Sequence, residues 1–121
     1  MSIMATSNVE KEFVSYVVEL MQSIGPVRAR GMFGGHGIFL EELMFGLVAD
    51  STLYLKADKE TENEFKEKGL EEFTYNKKGK EFKMSYYQAP DEVLEDGEEM
   101  NFWANKAYSS ALRAASKKRK K

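Results

Sequence analysis

An α+β domain with one antiparallel sheet is the fold class this sequence predicts, and three observations predict it. Short apolar stretches of strand length succeed one another from Val27 to Lys56, separated by glycines or acidic turn pairs. Segments with helical apolar spacing stand outside that run, at both ends and once between strands. A chain of 121 residues, 42% apolar and without a long linker, holds about one domain's core. The expected architecture has two layers, five or six strands packed against helices, in the order α-β-β-β(-β)-α-β-β-α.

The first helix is expected from about Val9 to Ile24. Ser7 or Asn8 would cap it, and Glu10 and Glu12 lie in its first turn, where the helix dipole favours anions. Phe13, Tyr16, Val17, Leu20, Met21 and Ile24 recur at helical spacing and need a sheet to lie on. Gly25-Pro26 stops the helix, because proline has no donor to continue it.

Val27 to Phe33 reads as the first strand, broken by Gly34-Gly35. His36 to Leu40 is the second, with Ile38 and Leu40 on one face. Glu41-Glu42 turns the chain into Leu43–Ala49, whose nearly unbroken apolar character suits a central strand. Asp50-Ser51 leads to Thr52–Lys56 and completes a meander.

Asp58 is placed to cap a charged surface helix over Lys59–Lys68, with Phe65 its buried anchor and Gly69 its stop. Phe73 and Tyr75, then Phe82, Met84 and Tyr86, alternate with polar residues around the turn Asn76-Lys77-Lys78-Gly79, where Gly79 takes positive φ. Ala89-Pro90 ends that strand and Asp91–Leu94 forms a short helical turn. The last helix runs from about Glu98 to Ala115, its apolar side made by Phe102, Trp103, Ala107, Tyr108, Ala111, Leu112 and Ala115. Residues 1–116 thus read as one domain and 117–121 as a basic C-terminal tail.

Composition excludes several chemistries. With no cysteine there is no disulfide, thiolate metal site or cysteine nucleophile, and one histidine leaves little for acid–base work. The N-terminus lacks the apolar run of a secretory signal, and no stretch approaches the ~20 apolar residues of a membrane span, so a cytoplasmic protein is expected. The net charge of −2 hides an asymmetry: thirteen basic against twenty acidic residues precede Lys117, a body of −7 followed by a tail of +5. Such a body repels a phosphate lattice over most of its surface, so any nucleic-acid contact must be local.

Gly34-Gly35-His36-Gly37 superficially suggests a phosphate cradle, but it has neither the GxxxxGK[ST] spacing nor a helix after the glycines. Met32, Phe33, Gly34, Gly35 and Gly37 therefore read as a structural corner. His36 has no carboxylate near it in sequence before Glu41 and Glu42, and no nucleophile elbow surrounds Thr74, Ser85, Ser109 or Ser110. No catalytic residue, cofactor or metal ligand is assigned, and no enzymatic activity is expected.

Basic residues supply the binding candidates. Alternation puts Arg28 and Arg30 on one strand face, and Lys77, Lys78, Lys80 and Lys83 crowd one turn. Lys117, Lys118, Arg119, Lys120 and Lys121 follow a helix C-terminus, where cations are favoured. These groups either neutralise acidic helices and water-exposed turns or, if gathered on one side, form a phosphate-binding edge. Tyr54, Tyr86 and Tyr87 either pack under the helices or stack on unpaired bases, with Tyr87 the one expected to face outwards.

Ordered blocks along the chain then narrow the class: Gly25-Pro26-Val27, Arg30 to Gly35, Leu43 to Asp50, Leu53 to Lys56, Phe73 to Tyr75, and Met84 to Tyr87 before Pro90. Over roughly Val9 to Leu112 the sequence resembles the TfoX N-terminal domain, the Sxy-like competence regulator domain. The resemblance implies helices on an antiparallel sheet of secretion-chaperone-like type, a role in bacterial gene regulation, and no enzymatic activity. It further implies co-activation with the cyclic-AMP receptor protein at competence promoters. In longer competence regulators this domain is followed by a second, helical one.

Two functions follow as expectations. One is a protein-interaction module of transcriptional regulation, contacting a regulator or a second copy of itself. The other is direct DNA or RNA binding through the strand and turn cations and the tail.

Overall fold

The computed structural model describes the backbone of residues 2–32 and 34–119, and side chains from Val9 to Lys117 except Phe33. Phe33, Lys120 and Lys121 lie outside the described residues, as do the side chains of Lys118 and Arg119. Helix α1 (Ser2–Leu20) runs into a 3₁₀ turn (Met21–Ile24). Strands β1 (Arg28–Met32), β2 (Gly35–Leu40), β3 (Leu43–Ala49) and β4 (Thr52–Lys56) form the expected meander. Helix α2 (Glu62–Glu67), strands β5 (Glu72–Lys77) and β6 (Lys80–Gln88), a 3₁₀ turn (Asp91–Leu94) and helix α3 (Gly97–Arg119) complete the chain. The sheet is antiparallel and six-stranded, in the order β1-β2-β3-β4-β6-β5, and the helices cover one face. Its core is built on Val17, Met21, Ile38, Phe45, Val48, Leu55, Phe65 and Met100, all fully buried.

Three boundaries move from the sequence expectation. The first helix begins at Ser2, so Ser7 and Asn8 are inside it and do not cap it. Each added residue extends a nucleated helix by one hydrogen bond, and Met4 and Ala5 are good helix formers. Helix α2 starts at Glu62, because Asp58 instead builds the preceding turn, accepting from the Glu60 N–H while the Thr61 hydroxyl accepts from its own N–H. Helix α3 continues to Arg119, so the basic tail begins as its last turn.

Three hairpins close with two-residue turns in which both residues have positive φ: Glu41-Glu42, Asp50-Ser51 and Lys78-Gly79. This is the type I′ pattern, whose twist matches that of the strands, but only the third uses a glycine. At Ser51 the φ is 54° and, among the described residues, its backbone N–H makes a hydrogen bond and its hydroxyl makes none. Ser51→Gly is therefore expected to raise unfolding stability by ~0.5–1 kcal/mol, measured by urea denaturation.

The strand β6 contains the fold's main irregularity. Ser85 has φ 61°, and the β5–β6 register shifts between Glu72 and Thr74. Tyr86 and Tyr87, consecutive in the strand after the kink, face opposite sides of the sheet, and both are buried. Tyr87 stacks on Phe65 under the helices, with ring centroids 5.4 Å apart, so it does not face outwards as expected from the sequence. Correspondingly, Phe102 and Leu112 of α3 and Tyr16 of α1 are exposed, while Val14, Met100 and Ala104 take the buried positions.

A polar clasp joins the turn before α2 to α3. Arg113 donates from Nε to Asp58 Oδ2 at 2.6 Å and from Nη2 to Oδ1 at 3.2 Å, beside buried Ser110 and Thr61. The guanidinium, chiefly by hydrogen bonding, holds the Asp58 carboxyl below the usual carboxylate range. The clasp is therefore fully stabilising above the unfolded aspartate value of ~3.9 and is lost as pH falls through the lower folded value. Arg113→Ala is expected to cost ~1 kcal/mol at neutral pH, allowing for solvent screening, and to flatten the acid limb of stability against pH.

Candidate functional site

The glycine corner is a tight hairpin. Met32 pairs with Gly35, and Gly34 has φ 74° with open space where a Cβ would stand. At Gly35 a Cβ would lie 2.2 Å from the Val48 carbonyl oxygen, so only glycine lets β2 approach β3 there. Gly37 faces the sulfurs of Met32 and Met44 on the other side of the sheet.

His36 points to the helices, not to solvent as a free hairpin residue. Its Nδ1 is 3.6 Å from Glu10 Oε2 of α1, a carboxylate twenty-six positions earlier that sequence reading did not connect with it. The other oxygen, Glu10 Oε1, accepts from the Ser51 N–H at 3.0 Å. The pair ties α1 to the tips of β2 and the β3–β4 turn. Among the described residues, no three histidine or carboxylate side chains come together as a metal site.

The larger features are two faces of unlike charge. On the face away from the helices, strand alternation and register place Arg28, Arg30, Phe39, Leu47, Tyr54, Lys56, Tyr86, Phe73, Tyr75, Lys77, Phe82 and Lys80. Arg30 lies 4.4 Å over the Phe39 ring, and Lys56 5.2 Å over the Tyr86 ring. Tyr86 is closed over by burial, which raises its phenol pKa, and it donates to the Met44 carbonyl. Arg28 is paired with Glu42, and Asp50 and Glu71 stand near Tyr54.

The two strand clusters named from sequence therefore share a face but sit at its opposite edges, roughly 24 Å apart at about 4.8 Å per strand. Lys83 and Lys78 do not join them on that face: Lys83 pairs with Thr74 on the other side of the ribbon, and Lys78 is in the turn. Lys117 and the helix end that follows belong to the helical layer, because α3 packs on β3 and β4 from the covered side. Among the described residues, no single edge gathers these cations. Lys56, between the clusters, is the contributor that sequence reading passed over.

The helical layer is the acidic one. Glu12 and Glu19 of α1 and Asp91, Glu92, Glu95, Asp96 and Glu98 around the start of α3 are all exposed. Tyr16, itself exposed, donates to the Leu94 carbonyl and so brings these two groups side by side. Among the described residues Glu92 alone of the seven has a cation partner, Lys68, and a backbone hydrogen bond together with that lysine lowers its pKa. Beside this ridge a groove of about 580 Å³ is lined by Leu20, Ser23, Asp96, Gly97, Glu98 and Asn101. No helix among the described residues is long and apolar enough to cross a membrane.

Comparison with known proteins places these features in context. The profile of the TfoX N-terminal domain matches residues 19–111. The chain is 35% identical over 85 residues to the DNA transformation protein TfoX1 of Aliivibrio fischeri, covering 70% of this chain and 39% of that protein. It is 33% identical over 90 residues to the DNA transformation protein TfoX of Haemophilus influenzae, covering 72% and 42%. The matched region thus spans about two-fifths of each relative's length.

Proposed function

The chain belongs to the TfoX N-terminal domain family, and from that membership we propose that it is a non-enzymatic regulatory module of DNA transformation, acting by protein–protein contact with a transcription regulator. Relatives named as DNA transformation proteins support the process. The observation that carries the mode of action is the acidic ridge of Asp91, Glu95 and Asp96 that the Tyr16–Leu94 hydrogen bond brings beside Glu12 and Glu19 of α1: an exposed aromatic among mostly acidic neighbours suits a basic protein surface and disfavours nucleic acid. A regulator that binds DNA, such as the cyclic-AMP receptor protein, has cationic surface to offer, and the contact takes place in the cytoplasm.

The test is genetic. In a host lacking this gene, transformation frequency and a competence-promoter reporter should recover with the wild-type chain but not with Asp91→Lys/Glu95→Lys/Asp96→Lys, expressed to the same level and melting at the same temperature. Full recovery with the charge-reversed chain would remove the ridge from the mechanism, and no effect of the gene on either readout would remove the regulatory role.

A further inference from the structure

The β5–β6 hairpin outruns the rest of the sheet. Strand β4 pairs with β6 only at Tyr86–Gln88, so residues 74–84 project as a two-stranded ribbon. Lys77, Lys78, Lys80 and Lys83 against Glu81 give that ribbon a charge of +3 within a body of −7. On the face continuous with the open side of the sheet, Tyr75 pairs with Phe82 and Lys77 with Lys80, and Phe73 meets Tyr54 edge-on at 5.0 Å. Phe82 is 47% exposed.

We propose that this face, centred on the ribbon, binds single-stranded nucleic acid, with Phe82 and Tyr75 as stacking platforms and Lys77, Lys80 and Lys56 as phosphate contacts. An exposed phenylalanine beside a tyrosine, edged by lysines, matches a polymer that alternates flat apolar rings with anionic links. Same-face residues along a strand are about 7 Å apart, which leaves room for successive extended bases on Phe73 and on the cross-strand pair Tyr75 and Phe82. A duplex fits poorly, because its paired bases keep their faces stacked on one another and its many phosphates meet the acidic helical layer. An acidic peptide would satisfy the lysines but leave the rings without a partner. The site lies across the sheet from the ridge proposed to dock the regulator, so the two readings stand or fall separately.

The test is fluorescence anisotropy of the full chain with a labelled oligothymidylate of about 20 nucleotides at ~50 and ~150 mM salt. Saturable binding that weakens with salt is expected, at least about tenfold tighter than to a duplex of equal length. Phe82→Ala and Tyr75→Ala should each weaken it about tenfold without changing the salt slope. Lys77→Ala/Lys80→Ala should flatten the slope by about 1.4, at ~0.7 per lost phosphate contact. Circular dichroism and melting temperature check that these exposed positions leave the fold intact. Absence of saturable binding at the lower salt overturns the proposal, as do equal affinity for duplex, unchanged binding in both ring variants, displacement by polyglutamate at equal charge, or binding lost only on removing residues 117–121.

Discussion

Phe65→Ala is expected to lower unfolding stability by ~4 kcal/mol, the largest loss from a single truncation in this fold. Phe65 is the buried residue of the short helix α2, and without it that helix has no apolar hold on the sheet. Its ring stacks on Tyr87 and meets Trp103 edge-on at 5.2 Å, so truncation leaves a cavity bounded by two large aromatics that cannot collapse into it. Urea unfolding followed by emission of Trp103, the single tryptophan, reads both the stability and the local environment. A loss below ~1 kcal/mol would show that α2 is held by its ion pairs instead.

Gly35→Ala is expected to cost ~3 kcal/mol, against ~1 kcal/mol for Gly34→Ala at the neighbouring position. The two glycines are needed for different reasons. Gly34 requires positive φ and has empty space around it, so alanine there meets only backbone strain. At Gly35 the added methyl would overlap a carbonyl oxygen of β3, and relief requires the β2–β3 pair to separate. Thermal unfolding of the two variants side by side checks the ordering. If Gly34→Ala were the more damaging, the corner would be constrained by its turn and not by strand contact.

The meander was legible in the sequence because its signals are local: acidic or glycine pairs between apolar runs set the hairpins, and β3 is buried on both faces as its composition implies. The final sheet order was not. Alternation in β5 and β6 marks both as strands but says nothing about which one returns beside β4, a choice made by the α2 connection and long-range pairing. Tyr87 was misplaced because alternation groups Phe82 with Tyr86 on one face without saying which face the helices cover, and the covered one is that of Tyr87. Phe102 and Leu112 were misplaced because helical spacing defines a broad arc, and only packing decides which rim is covered.

Surface chemistry was legible by residue and not by arrangement. Arg28, Arg30, Lys77 and Lys80 were identified as candidates, yet that they share one face at opposite edges follows from register over six strands. Lys56 gave no signal, being a lone lysine in an apolar strand. The Glu10–His36 contact depends on where α1 crosses the sheet. Separation of acidic helices from cationic strands emerges only when each residue's face is known.

Regulator docking on the helical side is tested most directly by isothermal titration of purified cyclic-AMP receptor protein into three chains in one buffer: wild type, Asp91→Lys/Glu95→Lys/Asp96→Lys, and Lys77→Ala/Lys80→Ala. The expected result is salt-sensitive binding that falls at least about tenfold in the ridge variant and stays unchanged in the ribbon variant. Equal affinity for wild type and ridge variant, or loss confined to the ribbon variant, would contradict it.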